Sequence, residues 1–395
     1  MKKYIALALS LCAALTLCAC GARPQPTTVP TTTVPPATVP TTEPTVPETT
    51  APTLEIPHLP LTAVSACPIT ETATEDVWFE YTYPDITLQH TNPEITEKVT
   101  LELLNRIDQT RTDAENVRSE ATGDELTFYT VEYNPARVDS GVLSLYGTCT
   151  SYAGGMHPSF QCVSVTYDLL TGEVLSLTDV LTAGTTAANI SPLVVEALAE
   201  VALDTYLYSD YTSVVEERFA LDLGADEGWY LSNQGLCFYF SPYEVAPYSS
   251  GIITACIPYE SLSGILRDEF FPIEKSAATG IVEADLFANT DPEQFDQFAE
   301  IILEKDGESV LLHTEGLVYD VFIEYGTWNM DGTIFSPTST VFAASSLTPY
   351  DGILLQTYFP DVMPNLRLTY TTDTGIVQKY IFQSGKDGSI LLLDE

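Results

Sequence analysis

The chain has 395 residues, of which 55 are acidic and 15 basic, for a formal charge of −40 at neutral pH. A field of that sign repels nucleic acid and anionic lipid, which argues against nucleic-acid binding, and it attracts cationic partners. The same acidity also serves plain solubility, as in many secreted surface proteins.

In chain order, Lys2 and Lys3 form a basic start and Tyr4 to Leu17 is almost wholly apolar. That run is shorter than the roughly 20 residues needed to span a bilayer, so residues 1–19 read as a secretion signal. The run ends Leu17-Cys18-Ala19-Cys20-Gly21, which resembles the lipobox of bacterial lipoproteins. The resemblance implies thioether lipidation of Cys20 and cleavage before it. Losing Lys2 and Lys3 leaves 13 basic against 55 acidic residues, a mature charge of −42. From Cys20 to residue 57 the chain is nearly all Pro, Thr, Val, Ala and Glu, as in Thr27-Thr28-Val29-Pro30-Thr31-Thr32-Thr33-Val34-Pro35-Pro36. Such a tract cannot bury enough apolar surface to offset chain entropy, and its prolines favour extended polyproline II. At about 3.1 Å per residue it reaches on the order of 100 Å, a spacer suited to a thick wall. No later run is apolar over membrane length. The expected place is the outer face of the cell membrane of a Gram-positive-type bacterium, with the membrane met through the lipid anchor alone.

Of the eight cysteines, Cys12 and Cys18 leave with the signal and Cys20 takes lipid, so Cys67, Cys149, Cys162, Cys237 and Cys256 remain. No C-x-x-C occurs, which argues against a zinc ribbon or a thioredoxin-like site. Cys149 and Cys162 lie symmetrically about Gly155 and Met156, as cross-strand partners in a hairpin would, and Cys237 and Cys256 flank a second hairpin in the same way. Both pairs are candidate disulfides in an oxidising compartment; buried thiols are the equal alternative.

The remaining length, roughly 340 residues, is enough for two or three domains. The first segment, residues 62–134, shows strand-like runs at Asp76–Tyr83 and Leu126–Tyr133. Between them Asn92-Pro93-Glu94 offers an N-cap, a first-position proline and a favourable acid, and Ile95, Val99, Leu103 and Ile107 form the buried stripe of an amphipathic helix. The second segment, residues 135–275, has strands at Gly141–Thr150 and Phe160–Leu169 around the loop Ser151-Tyr152-Ala153-Gly154-Gly155-Met156-His157-Pro158. Ser191-Pro192 predicts the start of a helix with Leu193, Ala197 and Val201 on one face; Ser213 with Glu216 fits a capping box, with Gly224 as the stop. Strands at Gly235–Phe240 and Ile252–Pro258 enclose a long turn, and Leu262, Ile265, Leu266 and Phe270 suggest a short last helix. The third segment, residues 280–395, opens with a predicted helix capped by Asp291-Pro292-Glu293-Gln294, with Phe295, Phe298, Ala299 and Ile302 on a face, followed by short strands between Gly, Pro and Asp turns. The expectation is an α+β fold: an antiparallel sheet with packed helices in two tandem domains, then a β-rich C-terminal domain of unknown role.

The second segment resembles the extracellular C-terminal domain of RsiV-type anti-sigma factors, which sense lysozyme. The resemblance rests on Tyr152-Ala153-Gly154-Gly155-Met156-His157, Tyr167-Asp168-Leu169-Leu170-Thr171-Gly172, Phe238-Tyr239-Phe240-Ser241-Pro242-Tyr243-Glu244-Val245-Ala246-Pro247-Tyr248 and Gly251 to Tyr259. The first segment is similar to the domain that precedes it in that family and that stands ahead of the deacetylase domain in PdaC-type enzymes, through Tyr83-Pro84-x-Ile86 and Asn92 to Asn105. RsiV-type proteins also carry a cytoplasmic anti-sigma region and a membrane helix, and PdaC-type enzymes a Thr-Phe-Asp-Asp-Gly metal motif; this sequence shows none of these. The resemblance therefore implies binding, without sigma-factor signalling or hydrolysis.

The residues alone point the same way. His58, His90, His157 and His313 are scattered without metal-ligand spacing, and no nucleophile elbow or phosphate loop is present. No catalytic residue, metal or cofactor is expected. The expected ligand surface is Tyr152, Gly154, Gly155, Met156 and His157 with Tyr243, Pro247 and Tyr248, glycines letting the backbone approach a partner and tyrosines supplying amphipathic contact area. A plain hairpin turn with tyrosines packed on the sheet is the competing reading. The expected partner is a cationic protein such as lysozyme; the alternatives are a peptidoglycan-binding wall module and an accessory assembly lipoprotein.

Overall fold

The computed structural model describes residues 58–73, 78–121, 126–221, 223, 228–272, 282–286, 292–360, 363–386 and 389–395. The predicted signal, Cys20 and the Pro/Thr tract lie outside the described residues, as do Asp76, Gly224 and Asp291. Among the described residues no helix is long and apolar enough to cross a membrane.

The fold begins with β1 (Ala63–Ala73), antiparallel to β2 (Phe79–Gln89) over its whole length. The sequence reading missed β1, since it holds Pro68, and proline removes a ladder donor. Pro68 faces Pro84 across the hairpin, and both lie beyond the stretch where their strands pair outward: β1 at Ala63–Ser65, β2 at Phe79–Thr82. Helix α1 (Pro93–Glu120) then crosses to β3 (Thr127–Val138), parallel to β2. The Asn92 side chain accepts the Glu94 N–H at 3.0 Å. Ile95, Val99, Leu103 and Ile107 are buried against Tyr81, Tyr129 and Val131 of the sheet, each worth roughly 2 kcal/mol.

β4 (Val142–Tyr152), β5 (Ser159–Asp168) and β6 (Glu173–Val174) continue as an antiparallel meander. Three helices follow: α2 (Leu177–Val180), α3 (Ala187–Val201) and α4 (Tyr211–Leu221). The start of α3 differs from expectation. Thr186 and Asn189 form the capping box, Pro192 lies inside the helix, and the fully buried stripe is Ile190, Val194 and Leu198, with Leu193, Ala197 and Val201 at its margin. Ser213 likewise lies within α4 and does not cap it. The helices pack on a three-stranded sheet of β7 (Trp229–Leu231), β8 (Gly235–Phe240) and β9 (Ile253–Pro258). The helix expected at residues 262–270 is absent: 3-10 turns at Tyr259–Ser261 and Asp268–Phe270 flank Leu262 and Leu266, which are buried by tertiary contacts, not by a helical face.

Among the described residues, the last stretch holds nine strands: β10 (Val282–Leu286), β11 (Gln297–Ile302), β12 (Glu308–Thr314), β13 (Val318–Trp328), β14 (Phe335–Leu347), β15 (Asp351–Thr357), β16 (Leu366–Thr371), β17 (Val377–Ser384) and β18 (Ile390–Asp394). The predicted helix after Asp291 is therefore β11, preceded by a 3-10 turn at Pro292–Gln294. Ala299 and Ile301 point inward with the period of a strand, and Ile302 points out; β11 is held by parallel pairing to β15. Strands β10, β12, β15 and β11 form a four-stranded sheet whose Val310, Leu312, Ile353 and Leu355 pack on Val321, Ile323, Phe342 and Leu368.

The other strands build one eleven-stranded sheet, in the order β18-β17-β16-β13-β14-β1-β2-β3-β4-β5-β6. Its junction is β1 against β14, Ala63 opposite Ala344. The three predicted segments thus share a sheet, the boundary drawn at 134/135 falls inside β3, and Leu54–Glu395 clusters as one unit. The fold is dominated by β-structure, with few helices. Arg137 of β3 ties it together. Only 2 % exposed, it donates to Asp139 (2.6 Å), the Tyr259 hydroxyl (2.8 Å) and the carbonyls of Phe270 (2.5 Å) and Phe271 (3.3 Å).

Candidate functional site

The β4–β5 hairpin ends in the loop that the sequence singled out. Ser151 pairs with Ser159, and the turn between them passes through Gly154 (φ 107°) and Gly155 (φ 123°). These angles are strained for any side chain, and the space around Gly155 is open. The turn presents Met156 at 100 % exposure. Tyr152 donates its hydroxyl to the Gly155 carbonyl at 3.0 Å, bracing the loop from below.

The second half comes from the β8–β9 connection. Tyr243 has φ 73°, unusual for a residue with a side chain, a conformation that costs on the order of 1 kcal/mol and persists only where its surroundings enforce it. Here the Tyr243 N–H donates to Ala246 O at 2.9 Å, the Ser241 N–H donates to the Glu244 carboxylate at 2.9 Å, and Val245 and Ala246 are buried beneath. Arg218 of α4 fixes the base of this turn, binding Glu244 (3.3 Å), Tyr239 O (2.8 Å) and Gly228 O (3.0 Å). The result is a Tyr243 ring 60 % exposed above a rigid floor. Pro247, half-buried, leads into a 3-10 turn that begins at Tyr248.

Tyr248 joins the two halves. Its hydroxyl donates to Pro158 O at 2.8 Å, and its ring lies 4.1 Å from His157, 5.7 Å from Phe160 and 5.8 Å from Tyr243, centroid to centroid. The fold thus brings Met156, His157, Tyr243, Pro247 and Tyr248 to one place. Tyr152 instead lies tilted against Phe128, with ring centroids 5.9 Å apart. Phe160, 38 % exposed, is a member of the cluster that the sequence reading left as a strand residue. Its signal was a large apolar side chain among exposed neighbours Ser159 and Gln161, at the start of an otherwise buried strand.

The cysteines divide. Cys237 and Cys256 face each other across β8 and β9 and are joined by a disulfide. Cys149 and Cys162 are not joined: Cys149 is opposite Gln161 and Cys162 opposite Thr148, so a one-residue offset sends the two side chains to opposite faces of the sheet. Burial pushes the Cys162 thiol up to about 11, leaving it a poor nucleophile at neutral pH. Among the described residues no three His, Cys, Asp or Glu side chains gather as a metal set. His58 pairs with Asp296 (3.0 Å), His90 accepts from the Asn92 N–H (3.2 Å), and His313 neighbours Phe295 (6.1 Å). A cavity of about 200 Å³ lies between the β3–β4 turn, Leu59, Tyr319 and Ser346, with Arg137 at its edge already committed to internal partners. The aromatic cluster has the make-up of a contact surface.

A family described as Protein of unknown function (DUF3298) matches residues 178–260, which run from α2 through the Tyr243–Tyr248 turn to the end of β9. Two solved structures are similar to this chain. One is a DUF3298 family member from Bacteroides fragilis NCTC 9343, 18% identical, covering 53% of this chain and 94% of that one, with a TM-score of 0.38. The other is a DUF3298 family protein from Pseudomonas aeruginosa PAO1, 18% identical, covering 54% of this chain and 98% of that one, with a TM-score of 0.37. No curated protein matches.

Proposed function

We propose that the chain is a non-enzymatic, lipid-anchored surface protein whose ectodomain captures a cationic protein, lysozyme or a related basic muramidase. The observation that carries this reading is the exposed cluster of Met156, His157, Phe160, Tyr243 and Tyr248, held rigid from two loops in a chain of net charge −40. Interfaces draw most of their binding energy from a few such aromatic anchors, and opposite charge speeds encounter. The resemblance of residues 135–275 to a lysozyme-sensing ectodomain supports the choice of ligand, and the lipobox at Cys20 supports display on the membrane's outer face.

The test is to mix the purified chain with lysozyme and follow muramidase activity and affinity at two salt concentrations. Inhibition with affinity that weakens as salt rises is expected. No binding at low salt would end the reading, and retention on purified peptidoglycan that ignores salt would favour a wall-glycan module instead.

A further inference from the structure

The aromatic surface continues past the two loops onto the open face of the sheet. Alternate residues of a strand point to opposite faces. Tyr81, Tyr129, Val131 and Tyr133 enter the core under α1, so Glu80, Phe128, Thr130 and Glu132 lie on the other face. Pairing sets their neighbours: Glu80 beside Phe128, Phe128 opposite Tyr152, Thr130 opposite Thr150, and Thr150 opposite Phe160. The three-stranded sheet covers this face around Ser144, Tyr146, Cys162 and Ser164, where the Leu231 N–H donates to the Ser144 hydroxyl at 3.0 Å, Tyr146 stacks on Tyr230 at 4.4 Å and Ser164 meets the Tyr239 hydroxyl at 3.2 Å. Beyond that cover, the rings of Tyr243, Tyr248 and Phe160 neighbour one another, as do those of Tyr152 and Phe128, and Phe160 lies opposite Thr150, two residues from Tyr152 on the same face. Trp78, 53 % exposed, closes the series, its carbonyl accepting the Thr127 N–H at 2.9 Å beside Phe128. With strands about 4.8 Å apart, the strip spans roughly 15 Å across the sheet.

Its charge is one-sided. Outside α1, Arg137 is the single Lys or Arg between residues 78 and 168, and it sits at the far end of β3 with its hydrogen bonds spent internally. The α1 cations belong to the opposite face of the sheet. Glu80 and Glu132 lie on the strip, and among the described residues neither takes part in an ion pair. Partial burial holds the Glu132 carboxyl above its usual range, with the Thr148 hydroxyl as its hydrogen-bond partner. Ring faces attract guanidinium and ammonium groups, and unpaired carboxylates beside them add Coulomb attraction.

We propose that the strip from Phe160 through Tyr152 and Phe128 to Trp78, edged by Glu80 and Glu132, receives arginine and lysine side chains of a cationic protein partner. This deepens the reading given above and rests on its choice of a cationic ligand.

The full chain is titrated with octa-arginine, and in parallel with lysozyme, at low salt. Two double variants are compared with the parent: Trp78→Ala with Tyr152→Ala, and Glu80→Gln with Glu132→Gln. All four side chains are at least partly exposed, and melting curves no lower than the parent's confirm the fold. Octa-arginine is expected to shift the Trp78 emission and to bind roughly tenfold more weakly to each double variant. Equal affinity for parent and both variants overturns the proposal, as does salt-independent binding of an N-acetylglucosamine oligomer that the aromatic variant abolishes. The two readings fail separately. If lysozyme does not bind but the peptide shows the losses, the strip stands and lysozyme falls. If lysozyme binds parent and variants alike, and the peptide does too, the strip falls and lysozyme stands.

Discussion

Replacing Arg137 by Met tests the internal tie of the fold. The guanidinium is 2 % exposed and serves four acceptors: Asp139, the Tyr259 hydroxyl, and the carbonyls of Phe270 and Phe271. Without it Asp139 keeps only the Gly141 and Val142 N–H groups, both at 2.8 Å on its other oxygen. Tyr259 keeps Ser232 O at 2.7 Å, and the two carbonyls lose their Arg137 donors. Breaking a buried ion pair from one side costs about 3–5 kcal/mol. For a unit of this size each kcal/mol shifts the melting temperature by on the order of 1.5 °C, so Arg137→Met is expected to melt about 5–7 °C lower by calorimetry. Adding Asp139→Asn is expected to restore part of the loss by removing the stranded charge. Lysozyme binding by the folded variant should be unchanged, because β4 separates this tie from the Tyr152 loop by about 33 Å. A shift below about 1.5 °C would refute the assignment of Arg137 as the tie between β3 and the residues after β9.

Tyr248→Ala removes the ring shared by His157, Phe160 and Tyr243 together with the bond to Pro158, and is expected to weaken lysozyme binding by roughly 10–30-fold in titration calorimetry. Cys237→Ser with Cys256→Ser opens a loop closed over a separation of 19 residues; a loss of about 3 kcal/mol is expected in denaturant unfolding. Glu132→Gln reports on pH. Because burial raises the folded pKa of Glu132, its ionised form is disfavoured at pH 7, and that penalty disappears as pH falls through the folded pKa. The Gln variant should therefore melt slightly above the parent at pH 7 and level with it below about pH 4.

What could be read from the sequence was local. Helix α1 was legible because its cap, its proline and its four-residue stripe all sit within twenty residues and agree. The Cys237–Cys256 pair was legible because the two cysteines stand directly opposite across β8 and β9. The Cys149–Cys162 pair failed by one residue, since period-two alternation turns a single offset into opposite faces. β11 was misread because Phe295, Phe298, Ala299 and Ile302 match a helical spacing by coincidence, while the strand is decided by β15, more than fifty residues later. The loop and the Tyr243–Tyr248 turn were each visible, but their union depends on Tyr248 reaching Pro158 over a separation of 90 residues. Phe160 meets the Tyr243–Tyr248 turn through the Tyr248 ring, 5.7 Å away.

The junction of β1 with β14 sets the order of assembly. Ala63–Ser65 wait for partners at Phe342–Ala344, so the edge of β1 stays bare until nearly the whole chain has been made. Loop closure of that span is slow, and a bare edge invites pairing with the wrong strand. A version cut off before β14 would carry α1 and the aromatic surface but keep that edge unsealed, so it should clump where the longer chain does not. Shortening this protein to isolate its aromatic surface would therefore trade a sealed edge for aggregation.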